Sequence, residues 1–303
     1  MSRGVPPLKQ GIGGPIVVGW VADNGLVSRG PAFLLRDMAE GVKRGAVAGE
    51  ASGVTASVSR DVVRICGLAA VRARFARDAG SIQRLYFDYA TGRKIGVICK
   101  TLAATRRVYR CVESAELEKI AGTPHHGGVV AVVTPPQMRE PGAEELRAWA
   151  KQREGVLVLD RVGNVHNLGA IARTAAFFGV GRLVICGREG AARPVDAAYR
   201  VAEGGLEGVE LHASADAIAL VRALVAAGYE VVGAATRGGR PELARPSARP
   251  LALVLGNEEH GLDPAVAAAC SRLVTLPGAG RVESLNVSVA AGILIWEAWA
   301  RRG

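Results

Sequence analysis

Two scales of alternation divide the chain. Between about residues 155 and 301, short apolar runs occur at 156–159, 182–186, 230–235, 251–255 and 273–275. Runs of that length, apolar at successive positions and bounded by turn residues, predict strands buried on both faces. Between them, apolar and small residues at helical spacing predict helices over 168–178, 215–227, 263–269 and 287–301. The alternation implies an α/β unit whose mostly parallel sheet is covered on both sides. Ahead of it, about 61–136 alternates over shorter segments. Helices are predicted at Leu68–Ala79, Lys94–Ala104 and Ser114–Ala121, with Ser114 as a cap, and strands at Arg84–Phe87, Val108–Cys111 and Gly127–Val133. These predict a small α/β sandwich, ended by Thr134-Pro135-Pro136 and followed by a linker over 137–154. Residues 1–60 are broken by Gly and Pro and read as a flexible extension.

The length of 303 residues leaves room for two domains. The net charge of +10 is carried mainly by arginine, whose planar fork suits phosphate and favours a nucleic-acid partner. Five cysteines (Cys66, Cys99, Cys111, Cys186 and Cys270) form no CxxC pair, so neither a disulfide framework nor a zinc site is expected. Their distribution fits a reducing cytoplasm. No apolar run is long enough to span a bilayer, and Gly and Pro interrupt what would be a signal peptide. A cytoplasmic location is expected. No Gly-x-Gly-x-x-Gly follows a strand and no Gly-Lys dipeptide occurs, which excludes dinucleotide-binding and P-loop readings.

Three segments of the larger unit share one design, a buried strand that runs into a polar turn. In the first, Gly155 to Leu159 leads into Asp160, Gly163, Asn164 and Asn167 and then a helix carrying Arg173. Asn167 and Arg173 are six residues apart, roughly 240° around an ideal helix. Serving one site therefore requires Asn167 to sit at the helix mouth, off the regular spiral. In the second, Leu251 to Leu255 delivers Gly256, where a missing Cβ would let a ligand approach, followed by Asn257, Glu258, Glu259 and His260. In the third, the run to Leu276 ends at Pro277-Gly278, and Ser284-Leu285-Asn286 opens an apolar helix. Each could be ordinary helix capping on its own.

Together, and in this order, they closely resemble the SpoU/TrmH ribose 2′-O-methyltransferases of the SPOUT superfamily over about 155–300. The resemblance implies a deep trefoil-knotted α/β domain, S-adenosylmethionine as cofactor and a homodimer. It matches Asn167 and Arg173 to the family's first motif, Glu258 to the second, and Ser284 and Asn286 to the third. It places the cofactor among Ala235, Thr236, Gly238, Gly256, Leu276, Ser284, Leu285 and Asn286. Arg173 would assist removal of the ribose proton or clamp the target phosphate and nascent alkoxide, and both roles stay open. Asn167, Ser284 and Asn286 would orient the reacting groups, and Glu258 would orient Arg173 or other pocket groups.

Residues 62–134 resemble, less tightly, the ribosomal-protein-L30e-like substrate-binding domain that precedes this catalytic unit in several family members. The match is best over Ala121–Ala131, with Gly127 where the family usually has Gln. On that domain Arg72, Arg74, Arg77, Arg106 and Arg107 are expected to meet RNA phosphates, with Arg173 joining them at the catalytic end. The adjacent His125 and His126 lack companion ligands, so no metal is expected. Trp296 and Trp299 read as packing or dimer residues. The L30e-like module favours ribosomal RNA of the large subunit, 23S, as substrate. A tRNA methyltransferase and a non-catalytic RNA-binding protein on the same fold are the alternatives.

Overall fold

In a computed structural model, the shorter alternating segment forms a four-stranded sheet. Its strands are β1 (Val63–Cys66), β2 (Ile82–Phe87), β3 (Val108–Cys111) and β4 (Val129–Val133), in the order β1-β4-β2-β3. β4 runs antiparallel to β1 and β2, and β3 parallel to β2. Helices α1 (Leu68–Asp78), α2 (Tyr89–Gly92), α3 (Gly96–Ala104) and α4 (Ser114–Ala121) cover it. Glu113, not Ser114, takes the cap position of α4. The structure describes residues 62–187, 190–241 and 248–300. The extension expected over 1–60 lies outside them.

The segment read as a linker contains a helix, α5 (Ala143–Lys151). Leu146 and Trp149, three residues apart, are buried on its inner face, a spacing too short to stand out among the Glu and Arg around it. The second sheet follows with β5 (Val156–Asp160), α6 (Val165–Phe177), β6 (Arg182–Cys186), α7 (Asp196–Ala202), α8 (Gly205–Gly208), β7 (Glu210–Ser214) and α9 (Ala217–Ala226). It continues through β8 (Glu230–Ala234), β9 (Leu251–Leu255), α10 (Pro264–Ala269), β10 (Arg272–Val274) and α11 (Val287–Ile295), which passes into a π-type turn, Trp296–Ala300. All six strands are parallel, in the order β10-β8-β9-β5-β6-β7. Strand β7 escapes sequence reading because Glu210 and His212 interrupt its apolar pattern. α7 and α8 are too short to show a period.

Burial explains the continuous apolar strands. Val156 and Val158 pack into the core on one face of the sheet, and Leu157 and Leu159 into the core on the other. The second of these cores runs on without a break into the smaller sheet, through Ile65, Ala70, Ala198, Tyr199 and Leu206. Polar contacts tie the two sheets at the same place. Arg64 donates its backbone N–H to Asp196 at 2.8 Å and pairs with it through the guanidinium at 3.1 Å.

This junction corrects part of the RNA-contact expectation. Arg74 is 3% exposed, pairs with Glu207 at 3.0 Å and donates to the Tyr199 hydroxyl at 3.1 Å. Arg77 donates to the carbonyls of Leu206, Glu207 and Val209 around the end of α8. Arg107 donates to the carbonyls of Ala79 and Ile82. Arg74 is spent on a buried side-chain pair, and Arg77 and Arg107 hold backbone together, because long apolar stems let guanidinium groups reach such acceptors. Arg72 is exposed but tethered to the Lys94 carbonyl, and Arg106 is exposed. Arg74→Ala is expected to cost about 3–5 kcal/mol, the usual penalty for stranding one member of a buried ion pair. Denaturant unfolding measures the loss. A drop in RNA affinity at unchanged stability would return Arg74 to the RNA surface.

Candidate active site

The parallel order sets the site. Adjacent strands β10, β8, β9 and β5 end side by side, so the loops that follow them, bearing Leu276, Ala235, Gly256 and the Asp160–Asn167 turn, open at one edge of the sheet. The turn after β5 leads straight into α6, whose cap is Asn164: its side chain accepts the His166 N–H at 2.8 Å.

Glu258 stands at the centre. Its carboxylate accepts the backbone N–H groups of Gly163 (3.1 Å) and Asn164 (3.2 Å) and the side-chain amide of Asn167 (2.8 Å). Asn167, 6% exposed, in turn accepts the amide of Asn286 at 3.1 Å. Asn286 caps α11 by accepting the N–H and hydroxyl of Ser288. One polar relay therefore joins all three chemistry-bearing segments, separated by 91 and 119 residues of sequence. Burial pushes the Glu258 carboxyl up, but the Asn167 amide and the backbone N–H groups outweigh it and hold its pKa below the ordinary value.

Asn257 fixes the turn that presents Glu258. Its backbone exchanges hydrogen bonds with Gly261, its side-chain Oδ1 accepts the Glu259 and His260 N–H groups, and its side-chain amide donates to the Arg161 carbonyl at 2.8 Å. The turn also corrects the reading of Gly256. A Cβ there would lie 2.3 Å from the backbone of Gly261 and Leu262, so the missing side chain admits the chain's own turn rather than a ligand. The sequence shows Asn257, Gly163 and Asn164 only as turn residues, with no role in the site. The one available signal was the Gly-Asn pair ahead of the helix.

Arg173 does not join this relay. Asn167 lies within the first turn of α6, not off its spiral, so the arginine six residues on faces elsewhere. Its guanidinium is half exposed and pairs with Glu203 at 3.0 Å. Glu203, in left-handed conformation just past α7, was not anticipated. Close helix contact holds this part together: a Cβ on Gly169 would meet the Ala198 carbonyl at 2.5 Å, and one on Gly205 the Arg173 Cα at 2.4 Å. Ser284 is exposed and outside the relay among the described residues.

Apart from Gly256, the expected cofactor residues line two loops, after β8 and after β10, that hydrogen-bond to each other. Ala235 donates its N–H to the Val274 carbonyl (2.9 Å), Gly239 to the Thr275 hydroxyl (2.9 Å), Arg240 to the Leu273 carbonyl (3.1 Å) and Thr275 to the Arg240 carbonyl (2.9 Å). Thr236 and Gly238 on one loop, and Ser284 and Leu285 on the other, face outward, while Leu276 is half-buried. Nothing lies within 4 Å of where a Cβ on Gly238 or Gly278 would stand, so the loop tips border open space. That open space leaves room for a bound molecule against the loop tips. Among the described residues no helix is long and apolar enough to cross a membrane.

Comparison with known proteins agrees with this geometry. Residues 154–296 match the model of the SpoU rRNA methylase family, and residues 64–139 match the RNA 2′-O ribose methyltransferase substrate-binding model. A 23S rRNA (guanosine-2′-O-)-methyltransferase, RlmB, from Nitrosomonas europaea is 34% identical over 77% of this chain and 89% of its own. The uncharacterized tRNA/rRNA methyltransferase YfiF of Escherichia coli O157:H7 is 33% identical over 78% of this chain and 67% of its own. The AdoMet-bound rRNA methyltransferase from Sinorhizobium meliloti superposes with a TM-score of 0.66 at 26% identity, covering 80% of this chain and 88% of its own. The chain belongs to the SpoU rRNA methylase family and is an S-adenosylmethionine-dependent RNA 2′-O-methyltransferase preceded by a substrate-binding domain.

Proposed function

We propose that the protein methylates a ribose 2′-hydroxyl in 23S ribosomal RNA. The observation that carries the catalytic reading is the Glu258–Asn167–Asn286 relay, which locks three distant segments beside the cofactor loops. Support for the substrate comes from the RlmB relatives at about a third identity and from the substrate-binding segment. S-adenosylmethionine, when bound, supplies an electrophilic methyl group on its sulfonium. Ala235, Thr236, Gly238, Leu276 and Ser284–Asn286 hold it, and Gly256 shapes the turn between them. Asn167 and Asn286, fixed by Glu258, orient the ribose. Arg173 holds the target phosphate and stabilises the oxygen as it loses its proton.

The same reading includes the trefoil threading of α11 through the preceding loops, supported by the packing of α11 against α6 beneath the β8-β9-β5 strands. It also includes a homodimer. Leu285, Val289, Ile293 and Trp296, spaced three and four residues apart, leave an apolar stripe about half exposed along α11. Trp299, by contrast, packs on Gly155 in the interior. Because Arg173 stands apart from the relay within one protomer, a partner whose cofactor loops approach α6 would complete the site. Sedimentation should show a dimer that Val289→Glu with Ile293→Glu converts to monomer; a monomeric parent at micromolar concentration would remove this element.

Ribose-methylation mapping of total RNA from cells with and without the protein tests the substrate. Loss of one 2′-O-methyl in 23S RNA is the expected result. Loss confined to a tRNA would favour the alternative specificity, and no loss in either, with no methyl transfer in vitro, would leave an RNA-binding protein.

A further inference from the structure

The edge strand β7 carries a side chain that methyl transfer does not explain. His212 is 1% exposed, and neither ring nitrogen makes a hydrogen bond. Nε2 stands 3.4 Å from Oε1 of Glu210, near it but not aligned for a bond. Trp149 from α5 walls the ring, edge to face, with centroids 4.9 Å apart. A neutral imidazole carries one N–H and one lone pair, and each left unmet in the interior costs about 1–3 kcal/mol. Glu145, in the first turn of α5, points its carboxylate to the same place. One ligand atom from each of Glu145, Glu210 and His212 lies within 4.8 Å of the others.

We propose that Glu145, Glu210 and His212 form a site for one divalent cation of the zinc class, which fastens α5 to the edge of the methyltransferase sheet. One imidazole and two carboxylates, with water as a fourth ligand, match zinc's tetrahedral preference for nitrogen and oxygen donors. Histidine binds a metal through a ring nitrogen that carries no proton, and both nitrogens of His212 lack a hydrogen-bond partner within the protein.

Two arginines already face these carboxylates, and neither blocks the site. Arg139 grips Glu145 at 2.6 and 2.8 Å, but its side chain is 64% exposed, so a cation that displaces this fork releases the guanidinium to water. Arg182 pairs with Glu210 through Oε2 and also holds Glu154, while stacking 4.8 Å over the Trp149 ring. It keeps a partner and leaves Glu210 Oε1 toward His212. Glu145, Glu154 and Glu210 against Arg139 and Arg182 leave the cluster short of positive charge. The Arg139 carbonyl already accepts the Ala213 N–H of β7 at 3.1 Å, so a cation here would fix the connection between the two sheets where it first touches the second.

The full-length protein, free of histidine tags and stripped with chelator, is titrated with Zn2+ by calorimetry and with Co2+ by absorption. One ion per chain, a melting temperature raised by zinc and a Co2+ spectrum without a thiolate charge-transfer band are expected. His212→Leu fills the space without offering a ligand, and Glu210→Gln leaves the ring intact. Each should weaken zinc at least about 100-fold, more than loss of an outer-shell partner costs. The metal-free Leu variant should melt no lower than the metal-free parent, since it removes two unmet nitrogens. Binding of S-adenosylmethionine and methyl transfer should persist in both variants, which separates this outcome from failure of the proposed activity. No stoichiometric uptake by the folded parent, equal affinity in both variants, or a thiolate band pointing to the cysteines would overturn the site.

Discussion

Arg173→Ala is expected to leave S-adenosylmethionine affinity unchanged while methyl transfer falls by about 10²–10³-fold, the usual loss when one donor to a developing oxyanion is removed. The side chain is half exposed and its partner in the protomer is Glu203, which is not among the residues assigned to the cofactor. Its removal should therefore disturb neither fold nor cofactor. Arg173→Lys keeps the charge but not the two-pronged geometry, so only part of the activity should return. Calorimetry for the cofactor and single-turnover methylation of RNA measure the two halves. Near-normal turnover by the alanine variant would take Arg173 out of the reaction. Lost cofactor affinity would move it into the pocket.

Glu258→Ala should be damaging in a different way. It strands the N–H groups of Gly163 and Asn164 and the amide of Asn167, and lets the three segments separate. Water can reach part of this turn, so the stability loss is about 2–3 kcal/mol rather than the full sum of three unmet donors. Methyl transfer should drop about a hundredfold or more. The pH dependence has a definite sign. The folded-state pKa of Glu258 lies below its ordinary value of 4.5. Its contribution is therefore complete above that value and is lost as pH falls through the depressed one. Glu258→Gln keeps one acceptor and should flatten this acid limb. Unfolding free energy measured from pH 3 to 7 checks it, and an unchanged limb in the Gln variant would assign it to other carboxylates.

The relay and the arginine junction show where sequence reading succeeds and where it stops. Val156–Leu159 and Leu251–Leu255 announce buried strands because each residue packs into a core on one face or the other. Asn167, Glu258 and Asn286 stand out because polar groups at the ends of such strands have little structural reason to recur three times. Arg74 and Arg77 misled because a basic helix looks the same from sequence whether its charges meet RNA or a neighbouring helix end.

The amino-acid order by itself determined the α/β alternation, the methyl-transfer motifs and the family. Those depend on local periodicity and on residue types that chemistry demands at strand ends. Tertiary structure alone decided the partners: Glu258 with Asn167, Arg173 with Glu203, Arg74 with Glu207, and His212 beside Glu145 and Glu210. The strand order that brings β10, β8, β9 and β5 together sets which distant turns meet, and no local pattern encodes that order.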